Sequence, residues 1–238
     1  MIYNLEAFLA VTVLAIVHLL AGQFHFSKSK WHKRFLSMAG GVAVAYVFVE
    51  LMPKLGVSET TLQAINTDMI PLKERHVYLV AFLGFLFFYG VHRISTGRLK
   101  NFGNVAFWLN MASYVFFNFL VGYEIVDVHD PFIQPLYLFV VALGLHYFIT
   151  DYSFREKHPF IYHDLSRYIL ILALYAGFAA GISIEIPKTS IIYGVAFVAG
   201  GMILNVLSYE LPADEKTSSF PSFLFGSLLY SIILTYQG

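Results

Sequence analysis

Long apolar runs separated by short polar breaks dominate the chain. The runs occupy about 4–22, 35–53, 77–93, 103–125, 133–153, 167–185, 189–209 and 220–236. Each approaches the roughly 20 residues that an α-helix needs to cross a bilayer. None shows the ten-residue alternation of a transmembrane strand, so helices rather than a barrel are expected. Eight spans use nearly all of the chain and leave a single polytopic membrane domain over 1–238. The first run lacks a basic leading segment and a clear cleavage site, and reads as a span rather than a removable signal. The longest break, 54–76, carries Gly56, Pro71 and several charges. It reads as an extracytoplasmic connector, with a short helix inside it as the alternative.

Composition strengthens the membrane reading. Hydrophobic residues make up 58% of the chain, charged residues 13%, and the mean hydropathy is +0.68. A soluble domain carries about 25% charged residues. The formal net charge of +0 excludes a general nucleic-acid partner. With no cysteine, thiol nucleophiles, iron–sulfur clusters and cysteine zinc sites are all ruled out.

The basic residues orient the spans. The breaks after spans 1, 3, 5 and 7 hold Lys28, Lys30, Lys33, Arg34, Arg93, Arg98, Lys100, Arg155, Lys157, Arg167 and Lys216. The opposite side holds Lys54, Lys73, Arg75 and Lys188. Positive charge collects on the cytoplasmic side, so both termini are expected to be extracytoplasmic. The basic stretch 28–34 is expected to set topology and touch lipid headgroups.

An internal echo is visible. Ala39-Gly40-Gly41 is followed by Glu50-Leu51-Met52-Pro53, and Ala199-Gly200-Gly201 by Glu210-Leu211-Pro212. In this topology the two spans run in opposite directions. A sequence repeated with inverted topology is a mark of secondary transporters. Paired glycines also occur wherever membrane helices pack closely.

Ionisable groups at bilayer depth are costly and usually face a cavity or a partner. The deepest are His146 in span 5 and Asn118 in span 4, with Asp151 and Glu124 nearer the two membrane faces. Asn110, Ser113, Thr150, Asn205 and Ser208 add neutral polar groups. An imidazole with oxygen donors suits a first-row divalent ion. The bland alternative is a structural histidine bonded to a neighbouring helix. Asp151 has two readings, a site ligand or an interfacial partner of Arg155. His18 reads as an interfacial residue or one packed against a polar neighbour, with lining a pathway as the alternative. Glu50 and Glu210 read as solvated groups near span ends, and Glu185 as facing water.

The segments Ser37–Pro53 and Gly200–Pro212, with the apolar run 220–236, resemble the second, seventh and eighth helices of ZIP (Zrt/Irt-like) metal transporters. That resemblance implies an all-α fold of eight spans, with spans 1–3 and 6–8 as an inverted repeat around a central pair, spans 4–5. It also implies both termini outside. The family's fourth helix carries His-Asn-x-x-Asp-Gly, where this chain has Phe117-Asn118-Phe119-Leu120-Val121-Gly122. Its fifth helix carries His-Glu-x-Pro-x-Glu, where this chain has His146-Tyr147-Phe148-Ile149-Thr150-Asp151. The resemblance therefore implies at most one mononuclear metal site, from His146, Asn118 and Asp151.

The expected function is a ZIP-like permease for a divalent cation such as Zn²⁺, Fe²⁺ or Mn²⁺, with the metal as cargo and no cofactor. Its expected partners are the lipid bilayer and the cation, with a homodimer as a candidate assembly. The alternative is a ZIP-fold membrane protein that has lost transport and serves as a scaffold or sensor. An intramembrane metal enzyme is the third class, and neither HExxH nor HxxxH supports it. The protein is thus not expected to be an enzyme.

Overall fold

A computed structural model describes residues 2–21, 30–65, 75–96, 103–126, 135–157, 165–211 and 218–237. Among these residues the fold is all-helical. It comprises α1 (Ile2–Ala21), α2 (Lys30–Tyr46), α3 (Met52–Ile65), α4 (His76–Thr96), α5 (Gly103–Glu124), α6 (Leu136–Lys157), α7 (Arg167–Ser183), α8 (Lys188–Asn205) and α9 (Phe220–Gln237). Every apolar run of the sequence corresponds to a helical rod. Lys30–Ile65, His76–Ile94 and Lys188–Ser208 are long and apolar enough to cross a membrane. Leu5–Ala21, Leu136–Tyr152, Arg167–Ser183 and Phe220–Tyr236 are shorter apolar helices.

The first correction lies at Pro53. The break expected from residue 54 onward is helical as far as Ile65. A π segment, Val47–Leu51, joins α2 to α3 in one continuous 36-residue rod. Proline has no N–H, and its ring crowds the carbonyl four residues back. The wider π turn accommodates both effects just upstream of the ring, so the helix continues. A second π segment, Val206–Glu210, ends α8, and there the backbone turns extended at Leu211 before Pro212. That conformation is the one preferred by a residue preceding proline.

The sides of α1 show why this bundle suits a bilayer. Its buried stripe is Ala7, Val11, Leu14, His18 and Ala21, while Leu5, Leu9, Val13, Ile16 and Leu20 point outward and are exposed. Apolar side chains line both sides of the helix, so the outward face is as hydrophobic as the inward one. This is the arrangement expected where lipid, not water, surrounds the protein.

Three helix pairs pack most intimately: α2 with α9, α4 with α8, and α5 with α7. Each uses a reciprocal glycine contact. A Cβ on Gly41 would overlap the carbonyl oxygen of Phe223, and one on Gly226 that of Met38. Gly84 and Phe197, Gly200 and Ala81, Gly122 and Leu174, and Gly177 and Phe119 are related in the same way. Without side chains at these crossings the backbones touch, which maximises dispersion contact where hydrophobic driving force is absent. Around this frame, α1 packs on α6 and α7, and α2 on α6. One core cluster joins α2, α4, α6, α8 and α9, and another joins α1 to α5, α6 and α7. The polar site lies in the second.

Candidate functional site

The site begins with the inward stripe of α1. His18 follows Leu14 by four residues, close to one helical turn, and therefore continues the buried face. It is 1% exposed, wedged against α5 and α6. Its Nε2 lies 2.9 Å from Oδ1 of Asn118 on α5, and its Nδ1 lies 2.6 Å from Oδ2 of Asp151 on α6. Both partners are also buried.

The amide orientation of Asn118 is set by its other bond. Its Nδ2 donates to the carbonyl oxygen of Tyr114 at 2.9 Å, which directs Oδ1 toward the histidine. An amide oxygen only accepts, so Nε2 of His18 carries a proton and donates it. One further proton is then shared between Nδ1 and the Asp151 carboxyl group. Whichever atom holds that proton, the pair has no net charge, which is how two ionisable groups can remain inside a bundle. The ring of Tyr147 stacks on the imidazole, with centroids 4.5 Å apart and planes 28° from parallel. The stack holds the imidazole plane between Asn118 and Asp151. The Tyr147 hydroxyl is itself buried and has no hydrogen-bond partner among the described residues.

Of the three residues expected to form a metal site, Asn118 and Asp151 are brought together, and His18 is what joins them. His146 stands apart. It is 2% exposed and lines a small cavity with Ser113 and Tyr114 of α5 and Asn205 of α8. Its ring meets Phe117 edge-on, with centroids 6.3 Å apart. Nearby, Asn205 Nδ2 donates to the hydroxyl of Tyr114 at 3.1 Å. The separation follows from helix geometry. Five residues turn a regular α-helix by about 500°, so His146 and Asp151 diverge by roughly 140°. In α6, an uninterrupted α-helix with Ile149 where a proline could have kinked it, nothing brings them back together.

The other expectations resolve as follows. Asp151 pairs with His18, and the Arg155 guanidinium lies over the Tyr152 ring at 5.1 Å. Glu50 pairs with Lys54 at 2.7 Å, one turn along the same rod. Glu185 is exposed, as its position before Pro187 suggested. The side chains of Glu210 and Lys157, and all of His25, Lys28, Lys73, Arg98, Lys100 and Lys216, lie outside the described residues.

What this arrangement can do chemically is constrained. The two nitrogens of His18 point to opposite sides of the ring, one at α5 and one at α6. Asn118 and Asp151 therefore cannot meet on one ion through His18 in this conformation. Among the described residues, no three His, Asp or Glu side chains gather in a way that could hold a metal. The cluster as it stands is a line of hydrogen bonds through His18 that links α1, α5 and α6.

No family model matches the chain, and neither a curated protein nor a solved structure is similar to it.

Proposed function

We propose that the chain is a multi-pass membrane protein of ZIP-like architecture that works as a divalent-cation permease by alternating access. The helix pairing is the observation that carries this reading. An inverted repeat would match α1, α2 and α4 with α7, α8 and α9, and α5 with α6. The α2–α9 pair then corresponds to α8–α4, and α1–α6 corresponds to α7–α5; all four pairs are packed. The two π segments also fall at matching places, each containing the glutamate of its copy. The match is not residue-perfect. Gly41, second of its pair, meets a backbone in the first copy, whereas Gly200, first of its pair, does so in the second, and Gly201 meets the Phe88 ring. Two such halves rocking about a central pair open a path to each side in turn. The excess of Lys and Arg in the alternate breaks supports both termini lying outside.

His18 and Asp151 are the ligands this reading assigns, in place of the His146 expected from the sequence. A cation reaches them only after their mutual hydrogen bond opens, so the arrangement described is a closed one. The same closure favours a second reading, a ZIP-fold relative that has lost transport, because His18 satisfies Asp151 and Asn118 without any ion. Uptake of Zn²⁺, Mn²⁺ and Fe²⁺ into proteoliposomes separates the two. Transport by the wild type, abolished in His18→Ala and only reduced in His146→Ala, is expected. Absence of uptake of all three ions by the wild type would leave the second reading.

A further inference from the structure

α2 and α9 touch at Gly41 and Gly226. Beside that contact, toward the N-terminal ends of both helices, lies a groove of about 510 Å³. Its walls are apolar, with Phe35 and Met38 on one side and Pro221 and Phe225 on the other. Its rim is polar and cationic. Arg34 is exposed there, with its guanidinium 5.8 Å above the ring of Trp31. Trp31 is 77% exposed, an unusual position for the largest amphipathic side chain unless something covers it. Across the groove, Ser219 is held by its own hydrogen bonds. Its N–H donates to Ser37 Oγ at 2.8 Å, and its Oγ lies 3.0 Å from Ser222 Oγ. α9 starts at the next residue, so the positive end of that helix faces the same rim as Arg34. Lys30 and Lys33 occupy the same first turn of α2.

We propose that this groove binds an anionic phospholipid of the surrounding bilayer. The proposal rests on the chain being a membrane protein and is independent of whether it transports anything. The shape and charge of the groove both point to this occupant. The apolar walls, Phe35 and Met38 facing Pro221 and Phe225, suit an acyl chain. A phosphate at the rim meets the Arg34 guanidinium and the positive end of α9. A soluble anion would use the rim but leave the apolar walls uncovered. A zwitterionic lipid would use the walls but place its own cation beside Arg34.

Trp31 and Trp108 are the only tryptophans, so Trp31 can be made the sole reporter in a Trp108→Phe background. The full chain is placed in nanodiscs with phosphatidylglycerol or phosphatidylcholine whose acyl chains are brominated, and quenching of Trp31 is measured. Brominated phosphatidylglycerol is expected to quench preferentially. Arg34→Gln should reduce that preference about fivefold, on the scale of one basic residue at a membrane surface. Arg93→Gln, an exposed arginine at the end of α4 outside the groove, should leave it unchanged. Circular dichroism of Arg34→Gln verifies that the fold is retained. Equal quenching by the two lipids would overturn the proposal. So would a preference lost equally in Arg93→Gln, which would mean general charge attraction. Relief of quenching by excess inorganic phosphate would assign the rim to a free anion, and insensitivity to both lipids would assign the groove to another copy of the chain. Either result defeats the lipid site.

Discussion

His18 and His146 are buried to the same degree, yet their surroundings differ in kind. His18 touches a carboxyl group, a carboxamide and a stacked tyrosine contributed by two other helices. His146 sits at the edge of a cavity beside Phe117, lined also by Asn205 and Tyr114, whose side chains are hydrogen-bonded to each other. The contrast shows that depth alone does not define a site. A histidine becomes the centre of one when neighbouring helices supply acceptors on both sides of its ring. The first network ties α1 to both α5 and α6. The second lies among α4, α5, α6 and α8.

The largest effect expected from this contrast is at His18. His18→Leu keeps roughly the same volume but leaves the Asp151 carboxyl group and the Asn118 oxygen buried without their partner. Removing one member of a buried pair typically costs about 3–5 kcal/mol. The variant should show a correspondingly lower midpoint of unfolding in detergent, and α1 should exchange amide protons faster than in the wild type. A loss no larger than that of an ordinary apolar swap would mean that the network contributes little.

Much of the fold was legible in the sequence because bilayer thickness imposes a length. Apolar runs of near-spanning length can hardly be anything but helices, and each run did become one. The start of the break at 54 was read as a connector because Gly56, Pro71 and several charges interrupt the apolar run there, yet the chain stays helical past Pro53 to Ile65. The π segment Val47–Leu51 leads into that continuation, whereas the similar Pro212 follows residues that do leave the helix. The site was only partly legible. Asn118 and Asp151 stood out as costly polar groups in apolar runs. Their partner was hidden because His18 lies near the end of its run, where a histidine ordinarily reaches for the interface. A signal did exist. His18 shares the stripe of Ala7, Val11 and Leu14, spaced three to four residues apart, and that side faces the bundle. His146, as deep as His18, does not join this cluster, and its register relative to Asp151 already placed the two on different sides of α6.

A smaller effect is expected at Asn118. Asn118→Leu removes the acceptor from Nε2 of His18 but leaves the His18–Asp151 bond in place. One unsatisfied donor costs about 1–3 kcal/mol. The imidazole can also turn about its stack on Tyr147 to recover part of this. Thermal unfolding in detergent should therefore place Asn118→Leu between His18→Leu and the wild type. If Asn118→Leu were as damaging as His18→Leu, the amide rather than the histidine would be the organising member.

The smallest effect belongs to His146, and its test is additivity. His146→Leu conserves volume and places an apolar side chain among Phe88, Phe117, Val198 and Met202. The lost polar contacts should cost about 1 kcal/mol, near the usual net value of a hydrogen bond. If the two histidines belong to separate networks, the double variant His18→Leu/His146→Leu should be destabilised by the sum of the single effects within about 0.5 kcal/mol. They could couple along two routes. The Tyr147 ring stacks on His18 and lies 6.5 Å from that of His146, its neighbour on α6. Tyr114 accepts from Asn118 at its carbonyl and from Asn205 at its hydroxyl, and it lines the His146 cavity. A coupling energy above about 1 kcal/mol would therefore mean that the two histidines act as one unit. That result would return His146 to the site; additivity would confine the site to His18, Asn118 and Asp151.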